Sequence, residues 1–421
     1  MRRRLLTLAA PLIAALIVAT TLFMGRGRFV RPLVRHDAGV GRPKTAEPKP
    51  VLDGAILPAA NITQYLEAIL TPELSTLPNL ECPAIDTTRY GELKSQHPSG
   101  PAIQYFFALN LRQNLPLLPR LIGSIVEAIR FLGPSQCVLS IVEGNSPDGT
   151  ADVLAALRPA LDSIGVRYYL ESSAIDPSKG DRVARLAQLR NKALAPLLDL
   201  HDMATSDTTV IFLNDVAACA EDILELVHQK RALGADMTCA MNWTYVGEHP
   251  TFYDVWIART INGDSFFEIP SDGSWDSAWN LFWNADETRN RFASRRPFQV
   301  FSCWNGATAF TAQPFLEKTV EFRAANETAG ECRQGEPQLF CKDLWFKGHR
   351  KIAVVPSVNL EYSVEKARRI KEAKGFTSDT VSKQDPAGDG IDWRLDPPNM
   401  VKCMPVWENQ YWQSWNETLK P

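Results

Sequence analysis

From Ile103 onward, short apolar runs alternate with stretches whose apolar residues recur at helical spacing. Ile103–Leu109 has strand length, and Leu117–Phe131 sets Leu118, Leu121, Ile122, Ile125, Val126 and Ile129 on one side of a helix. Val138–Val142, Val166–Leu170 and Val210–Leu213 predict further strands. Ala151–Leu161, Arg182–Leu198 and Glu221–Leu233 predict the helices that follow them, and Ile352–Val355 predicts a late strand. This alternation implies βαβ units: an α/β, Rossmann-like fold with a mostly parallel sheet flanked by helices. Ligands of such sheets lie beyond the carboxyl ends of the strands, so the residues just after each strand are the place to look.

The first hundred residues read differently. Met1–Arg4 is a short basic tail, and Leu5–Met24 carries no charge. About 20 apolar residues make a helix of about 30 Å, the thickness of a bilayer core, whereas a cleavable signal has an apolar stretch of about 7–15. The expectation is a cytosolic tail at 1–4 and a transmembrane signal anchor at 5–24. A Pro-rich polar stem follows at 25–100, with one short helix near Ile62–Leu70, and then a luminal domain at 101–421. Arginines flank the apolar run on both sides, so charge leaves its orientation open. N-glycan acceptor triplets at Asn61, Asn326 and Asn416 favour the lumen, hence a single-pass type II protein of the Golgi or another secretory membrane. A further triplet at Asn242 ends an apolar run and reads as buried.

A formal net charge of −3 gives no basic field for nucleic acid. The eleven Trp crowd between Trp243 and Trp415, most of them expected in the core. Eight cysteines show no CxxC pair, so zinc is not expected, and their even number permits disulfides. Cys137, Cys219 and Cys239 lie in apolar runs and read as buried thiols. Cys332 with Cys341 is a conceivable short loop, although spacing does not fix connectivity.

Candidate chemistry falls after the strands. Glu143-Gly144-Asn145-Ser146-Pro147-Asp148-Gly149-Thr150 follows the second, where a carboxylate can take hydrogen bonds from a base or ribose; a plain turn with an N-cap is the alternative. Asn214-Asp215 ends the fourth and offers oxygen ligands to a hard cation that would neutralise a diphosphate. Arg182, Arg185 and Arg190, with Asn191, lie on a helix that can meet phosphate or face solvent. Glu336 and Asp343 are two acids seven residues apart on a predicted helix, able to share one face.

In this order the pieces resemble GT-A glycosyltransferases. Ser140 to Thr150 looks like their first nucleotide-binding segment, Arg190-Asn191 like their Arg-Asn element, and Asn214-Asp215 stands where their Asp-x-Asp metal motif does. Val216 replaces a second acid, leaving Asp215 as the metal candidate. The chain more specifically resembles the fungal α-1,3-mannosyltransferase family typified by the cryptococcal capsule-associated mannosyltransferases, glycosyltransferase family 69. The carrying residues are Phe212 to Val216, Phe252-Tyr253-Asp254-Val255-Trp256, Ser302 to Ala307, Glu336 through Trp345, and Pro356-Ser357-Val358 with Tyr362. The resemblance covers about Pro101 to Trp415. It implies Mn²⁺-aided transfer of mannose from GDP-mannose to a glycan hydroxyl, with retention of configuration. It further implies Glu143, Ser146, Asp148, Arg190, Asn191 and Asn214 as donor-binding residues. Asp254, Trp304, Asn305 and Gly306 would bind sugar, and Glu336, with Asp343 as alternative, would position the acceptor or stabilise charge. Trp304 would otherwise fill the core. Another nucleotide sugar, or a catalytically silent tethered scaffold, remain rival readings.

Overall fold

The computed structural model describes residues 50–94 and 102–419. The expected tail, membrane anchor and first part of the stem lie outside them. Among the described residues, no helix is long and apolar enough to cross a membrane.

The strands are β1 (Ile103–Leu111), β2 (Cys137–Glu143), β3 (Arg167–Ser172), β4 (Ala204–Leu213), β5 (Met237–Val246), β6 (His249–Phe252), β7 (Arg259–Thr260), β8 (Phe298–Ser302), β9 (Ala307–Thr311), β10 (Ile352–Leu360), β11 (Met400–Val406) and β12 (Asn409–Ser414). The helices are α1 (Ala59–Leu70), α2 (Leu118–Leu132), α3 (Thr150–Ala156), α4 (Arg158–Ile164), α5 (Arg182–Asp199), α6 (Ala220–Ala232), α7 (Asp286–Ala293), α8 (Gln313–Leu316), α9 (Glu336–Phe346), α10 (Val364–Lys374) and α11 (Thr377–Val381).

A ten-stranded sheet runs in the order β3-β2-β1-β4-β9-β5-β10-β8-β7, with β6 beside β5. The expected βαβ units form β1 to β4, and β5 pairs in parallel with β10. The expectation of a mostly parallel sheet is corrected: β9 runs against both β4 and β5, and β6, β7 and β8 are antiparallel as well. The turns from β5 to β6 and from β8 to β9 are too short for the crossover that parallel strands require, and antiparallel strands need none. Because β9 is antiparallel to both neighbours, the carboxyl ends of β1, β2, β4, β5 and β10 share one edge with the start of β9.

Strands with both faces covered split their side chains by the period of two. Phe106, Ala108, Val210 and Phe212 enter one core, while Phe107, Leu109, Ile211 and Leu213 enter the other. Helix α2 is buried along nearly its whole length, pressed between the sheet and α1, and it stops at Gly133, whose φ of 109° suits glycine. Asp181 caps α5 by accepting from Val183 and Ala184 N–H at 2.9 and 3.2 Å. The single helix expected over Ala151–Leu161 is two, α3 and α4, because Pro159 has no N–H and disfavours helical backbone before it.

The stem expected at 25–100 is corrected over 50–94, which packs on the domain. Helix α1 lies on α2, Arg89 grips the Glu225 carboxylate of α6 at 2.7 and 2.8 Å, and the Tyr90 hydroxyl donates to Glu225 at 3.0 Å. Ile62, Ala68 and Ile69 of α1 are buried, and Leu80, Tyr90 and Leu93 join the core beneath, so apolar packing and the Arg89–Glu225 pair together hold the segment. Disulfides join Cys82 to Cys219, Cys239 to Cys303, and Cys332 to Cys403. Cys219 and Cys239 are therefore not thiols, and the short Cys332–Cys341 loop does not form. Cys137 and Cys341 are buried and free. Cys239 and Cys303 sit in apolar runs because they are bridged inside the core.

Of the eleven tryptophans only Trp243, Trp304 and Trp345 are buried, while Trp256, Trp279 and Trp412 are exposed and the rest half-buried, so the expectation that most fill the core is corrected. Asn242 is buried, as its apolar surroundings suggested; Asn61 and Asn326 are exposed, and Asn416 is half-buried.

Candidate active site

The loops at the shared carboxyl edge hold each other by polar side chains. Glu143 ends β2 directly opposite Leu111 of β1. It is buried, and its two oxygens accept the N–H groups of Ser146 and Asn145 at 2.8 and 3.0 Å. Ser146 Oγ accepts Gln113 N–H at 2.8 Å. Glu143 and Ser146, expected at the donor, thus shape the loop that would face it. Asp148 accepts the Thr150 hydroxyl and N–H at 2.7 and 3.0 Å and Leu115 N–H at 3.1 Å. Burial pushes its carboxyl up, but these hydrogen bonds outweigh it and hold the pKa below the usual range. Gln113 and Asn145 both have left-handed backbone, at φ 55° and 54°, which places strained turns on the site's rim.

Asp215 follows β4 and is half-buried. Its one side-chain partner is Asn114, whose Nδ2 donates at 3.3 Å, and Asn114 N–H in turn donates to Thr150 Oγ1 at 3.0 Å. The loops after β1, β2 and β4 are so linked from Asp148 to Asp215. Burial pushes the Asp215 carboxyl up, against the weaker opposing pull of Asn114 and of the Arg190 charge. A carboxylate that loses hydration without gaining a cation partner suits a bound cation. Among the described residues no group of three or more His, Cys, Asp or Glu is placed to hold a metal. Asp215 alone can give a hard divalent ion one or two carboxylate oxygens.

Arg190, Asn214, Trp304 and Glu336 form a second knot. Arg190 Nε donates to Glu336 Oε1 at 2.9 Å, and both side chains are buried. The guanidinium lies over the rings of Trp304, Phe212 and Phe322, at 4.4, 5.1 and 5.6 Å. Asn214 Oδ1 accepts Trp304 Nε1 at 3.0 Å and lies 3.5 Å from Arg190. Trp304 is 1% exposed, so it does not stack on a sugar; it is the floor beneath Arg190. Asn191 uses both ends of its amide on the Phe322 backbone, at 2.8 and 3.0 Å, which fixes the third ring under Arg190 rather than reaching a donor.

Asp254, half-buried, accepts Asn305 N–H at 2.8 Å. Burial lifts its pKa to about 6; Asn305 and the Arg190 and Arg259 charges oppose the shift and Glu336 adds to it. Asn305 (φ 53°) and Gly306 (φ 84°) are the left-handed turn into β9, and the Gly306 carbonyl accepts Asn214 N–H at 2.8 Å. A Cβ at Gly306 would stand 3.0 Å from Val216 Cγ1, so the turn needs glycine on two counts. Asn305 is fully buried and donates to Ala240 O at 2.8 Å, so it and Gly306 build the turn instead of touching sugar.

Helix α9 separates its two acids. Glu336 opens it at the Arg190 knot, while Asp343 accepts both Arg323 Nε and Nη2, at 2.7 and 2.9 Å. Asp343 belongs to an ion network with Glu331, Lys342 and Glu417, which sets it apart from the site. Seven residues put the two acids about 10 Å apart along the helix axis, so each meets a different partner.

Sequence reasoning left out Asn114, and it gave Tyr362 no role. Asn114 had the signal of lying just after β1. Tyr362 follows β10; its hydroxyl accepts Asn242 Nδ2 at 3.0 Å, and its ring meets Tyr253 edge-on at 5.1 Å.

Residues 104–343 match the family described as cryptococcal mannosyltransferase 1. The chain is 37% identical over 341 residues to the α-1,3-mannosyltransferase CMT1 of Cryptococcus neoformans var. neoformans serotype D, covering 75% of this chain and 73% of that one. Among solved structures, the mannosyltransferase PcManGT from Pyrobaculum calidifontis, in complex with GDP-Man and Mn²⁺, aligns with a TM-score of 0.36 and 13% identity over 71% of each chain. S. aureus TarS 1-349 aligns with a TM-score of 0.36 and 11% identity over 68% of each. The sequence match spans β1 to α9 and takes in Asp148, Arg190, Asp215, Asp254 and Glu336: this chain belongs to the cryptococcal mannosyltransferase 1 family.

Proposed function

We propose that this chain is a retaining, GT-A-type α-1,3-mannosyltransferase that moves mannose from GDP-mannose to a glycan hydroxyl with a divalent cation such as Mn²⁺. The observation that carries the reading is Asp215: a half-buried carboxylate after β4, short of positive charge and linked through Asn114 to the loop after β2. Asp215 would hold the cation, which when bound neutralises the diphosphate as it leaves. Arg190, stacked on Trp304 and aimed by Glu336, adds fixed positive charge beside it. Asp254 supplies an anionic contact to the sugar. With retention, the departing phosphate takes the acceptor proton on the face where the new bond forms. Glu336, engaged with Arg190, then acts by ion-pair stabilisation and positioning rather than as a base.

The three disulfides suit an oxidising compartment, and with the apolar run at 5–24 and the exposed acceptor triplets they support a type II Golgi or other secretory protein, its domain luminal. The test is transfer by the purified full chain from GDP-mannose to short α-mannosides, with and without Mn²⁺, beside UDP-sugars and GDP-fucose. Mannosyl product from GDP-mannose alone is expected. Turnover of another donor would replace the donor assignment, and no GDP binding at all would favour a silent scaffold.

A further inference from the structure

We infer that the N-terminal segment 50–94 builds one wall of the acceptor subsite, and that the acceptor is a neutral saccharide longer than one ring; this rests on the transferase reading above. A groove of roughly 430 Å³ lies between three pieces of chain. Tyr65 of α1 with Leu77 and Pro78 forms one wall, Gln113 and Asn114 after β1 the floor, and Tyr362 with Arg368 the far wall. Its size falls in the range of about 300–1,000 Å³ typical of small-molecule sites.

The groove is continuous with the site at three points. Asn114, in its floor, donates to Asp215. Tyr362 meets Tyr253, which is 46% exposed and precedes Asp254. Helix α1, which carries Tyr65, packs on α3, whose first residue Thr150 donates to Asp148. A molecule in the groove therefore has one end at the edge where the donor sugar would lie.

Its lining suits carbohydrate. Tyr65 and Tyr362 line the groove together with Leu77, Pro78, Pro116 and Leu117, an apolar and aromatic surface of the kind that meets the apolar sides of pyranoses. Arg368 and Glu365 bring one charge of each sign, which favours a neutral ligand over an anionic one. The wall is also held firmly. Cys82 bridges to Cys219, Arg120 donates to Leu80 O at 2.8 Å, and Arg368 donates to Asn79 O at 3.1 Å. A segment held by a disulfide and side chains from two helices is positioned as part of the domain, with its aromatic ring toward the cleft.

The test compares methyl α-mannoside, α-mannobiose and α-mannotriose as acceptors with the full chain, alongside acceptor-free hydrolysis of GDP-mannose. In the wild type, acceptor KM is expected to fall as rings are added. Tyr65→Ala, and Leu77→Trp as a second variant that fills the groove from an exposed edge, should raise the mannotriose KM tenfold or more and abolish the length dependence. Donor hydrolysis should stay within twofold, and Tyr65→Phe should keep the wild-type pattern within threefold. Unchanged mannotriose KM in both folded variants, with hydrolysis intact, overturns the groove but leaves the transferase standing. Absence of GDP-mannose hydrolysis and transfer in the wild type overturns both.

Discussion

Helix α9 joins two charged clusters that are built in opposite ways. At its start, Glu336 is paired with Arg190, and the neighbouring acids Asp215 and Asp254 lack a full cationic partner. Burial pushes both of their pKa values up. Two turns on, Asp343 and Glu331 share Arg323, and Glu331 also takes Lys342 at 2.6 Å. Burial acts on Glu331 too, yet its hydrogen bonds from Arg323, Asn326 and Lys342 win and hold its pKa at about 2. The same residue types are buried at both ends. A saturated network has nothing left to offer a ligand and serves stability, whereas acids left short of positive charge are set to receive it from one.

The largest expected effect tests this contrast at the site. Asp215→Ala should reduce transfer by about 10³-fold or more, as losing a residue that neutralises transition-state charge does, while the thermal midpoint changes little because the carboxylate is under-compensated. Normal turnover by this variant in a product assay would remove the cation site from Asp215. Next, Arg323→Ala should invert the pattern. It strands Glu331 and Asp343 and should lower stability by about 3 kcal/mol, read by denaturant unfolding, with transfer per folded molecule within about twofold. A large rate loss there would mean that the network reaches the site.

Glu336→Gln should lower turnover about 100-fold while the Kd for GDP-mannose moves less than threefold, because the neutral amide holds Arg190 weakly without emptying the pocket. Asp343→Asn should leave turnover nearly unchanged. Equal losses in turnover and affinity for Glu336→Gln would assign it to donor binding instead. The smallest effect is one of pH. Asp254 titrates near 6 in the folded chain against 3.8 for an ordinary aspartate. Between those values the folded state holds more protons than the unfolded one, so this group's contribution to stability is full below 3.8 and is lost as pH rises through about 6. Asp254→Asn should flatten that part of the stability–pH curve, and the wild-type kcat/KM should fall below about pH 6 as the carboxylate is protonated.

Much of the sheet is legible in the chain because each βαβ unit needs only local signals. Phe106 to Leu109 and Val210 to Leu213 are apolar since both faces are covered, and the helical stripe of α2 is visible without its partners. The antiparallel half was not legible. Ala307 to Thr311 is short and mixed, and it is a strand only because β4 and β5 leave a gap of the right register. Asp215, Arg190 and Asp254 stood out by their places after strands or in motifs. Asn114 did not, since an Asn after a strand is ordinary until its amide is seen on Asp215.

The sequence by itself determined the elements and the residue types gathered beyond them, because strand and helix periods and the punctuation of Pro and Gly act over a few residues. It also determined that Asp148, Asp215 and Glu336 follow or open such elements. Only the tertiary structure decided which acids lack a cation, that Trp304 is a floor rather than a sugar platform, and that residues 50–94 belong to the domain. Each of those depends on neighbours supplied by distant parts of the chain, as Cys82 meets Cys219 and Arg190 meets Glu336. Burial and charge compensation are properties of the assembled surroundings, and no residue carries them alone.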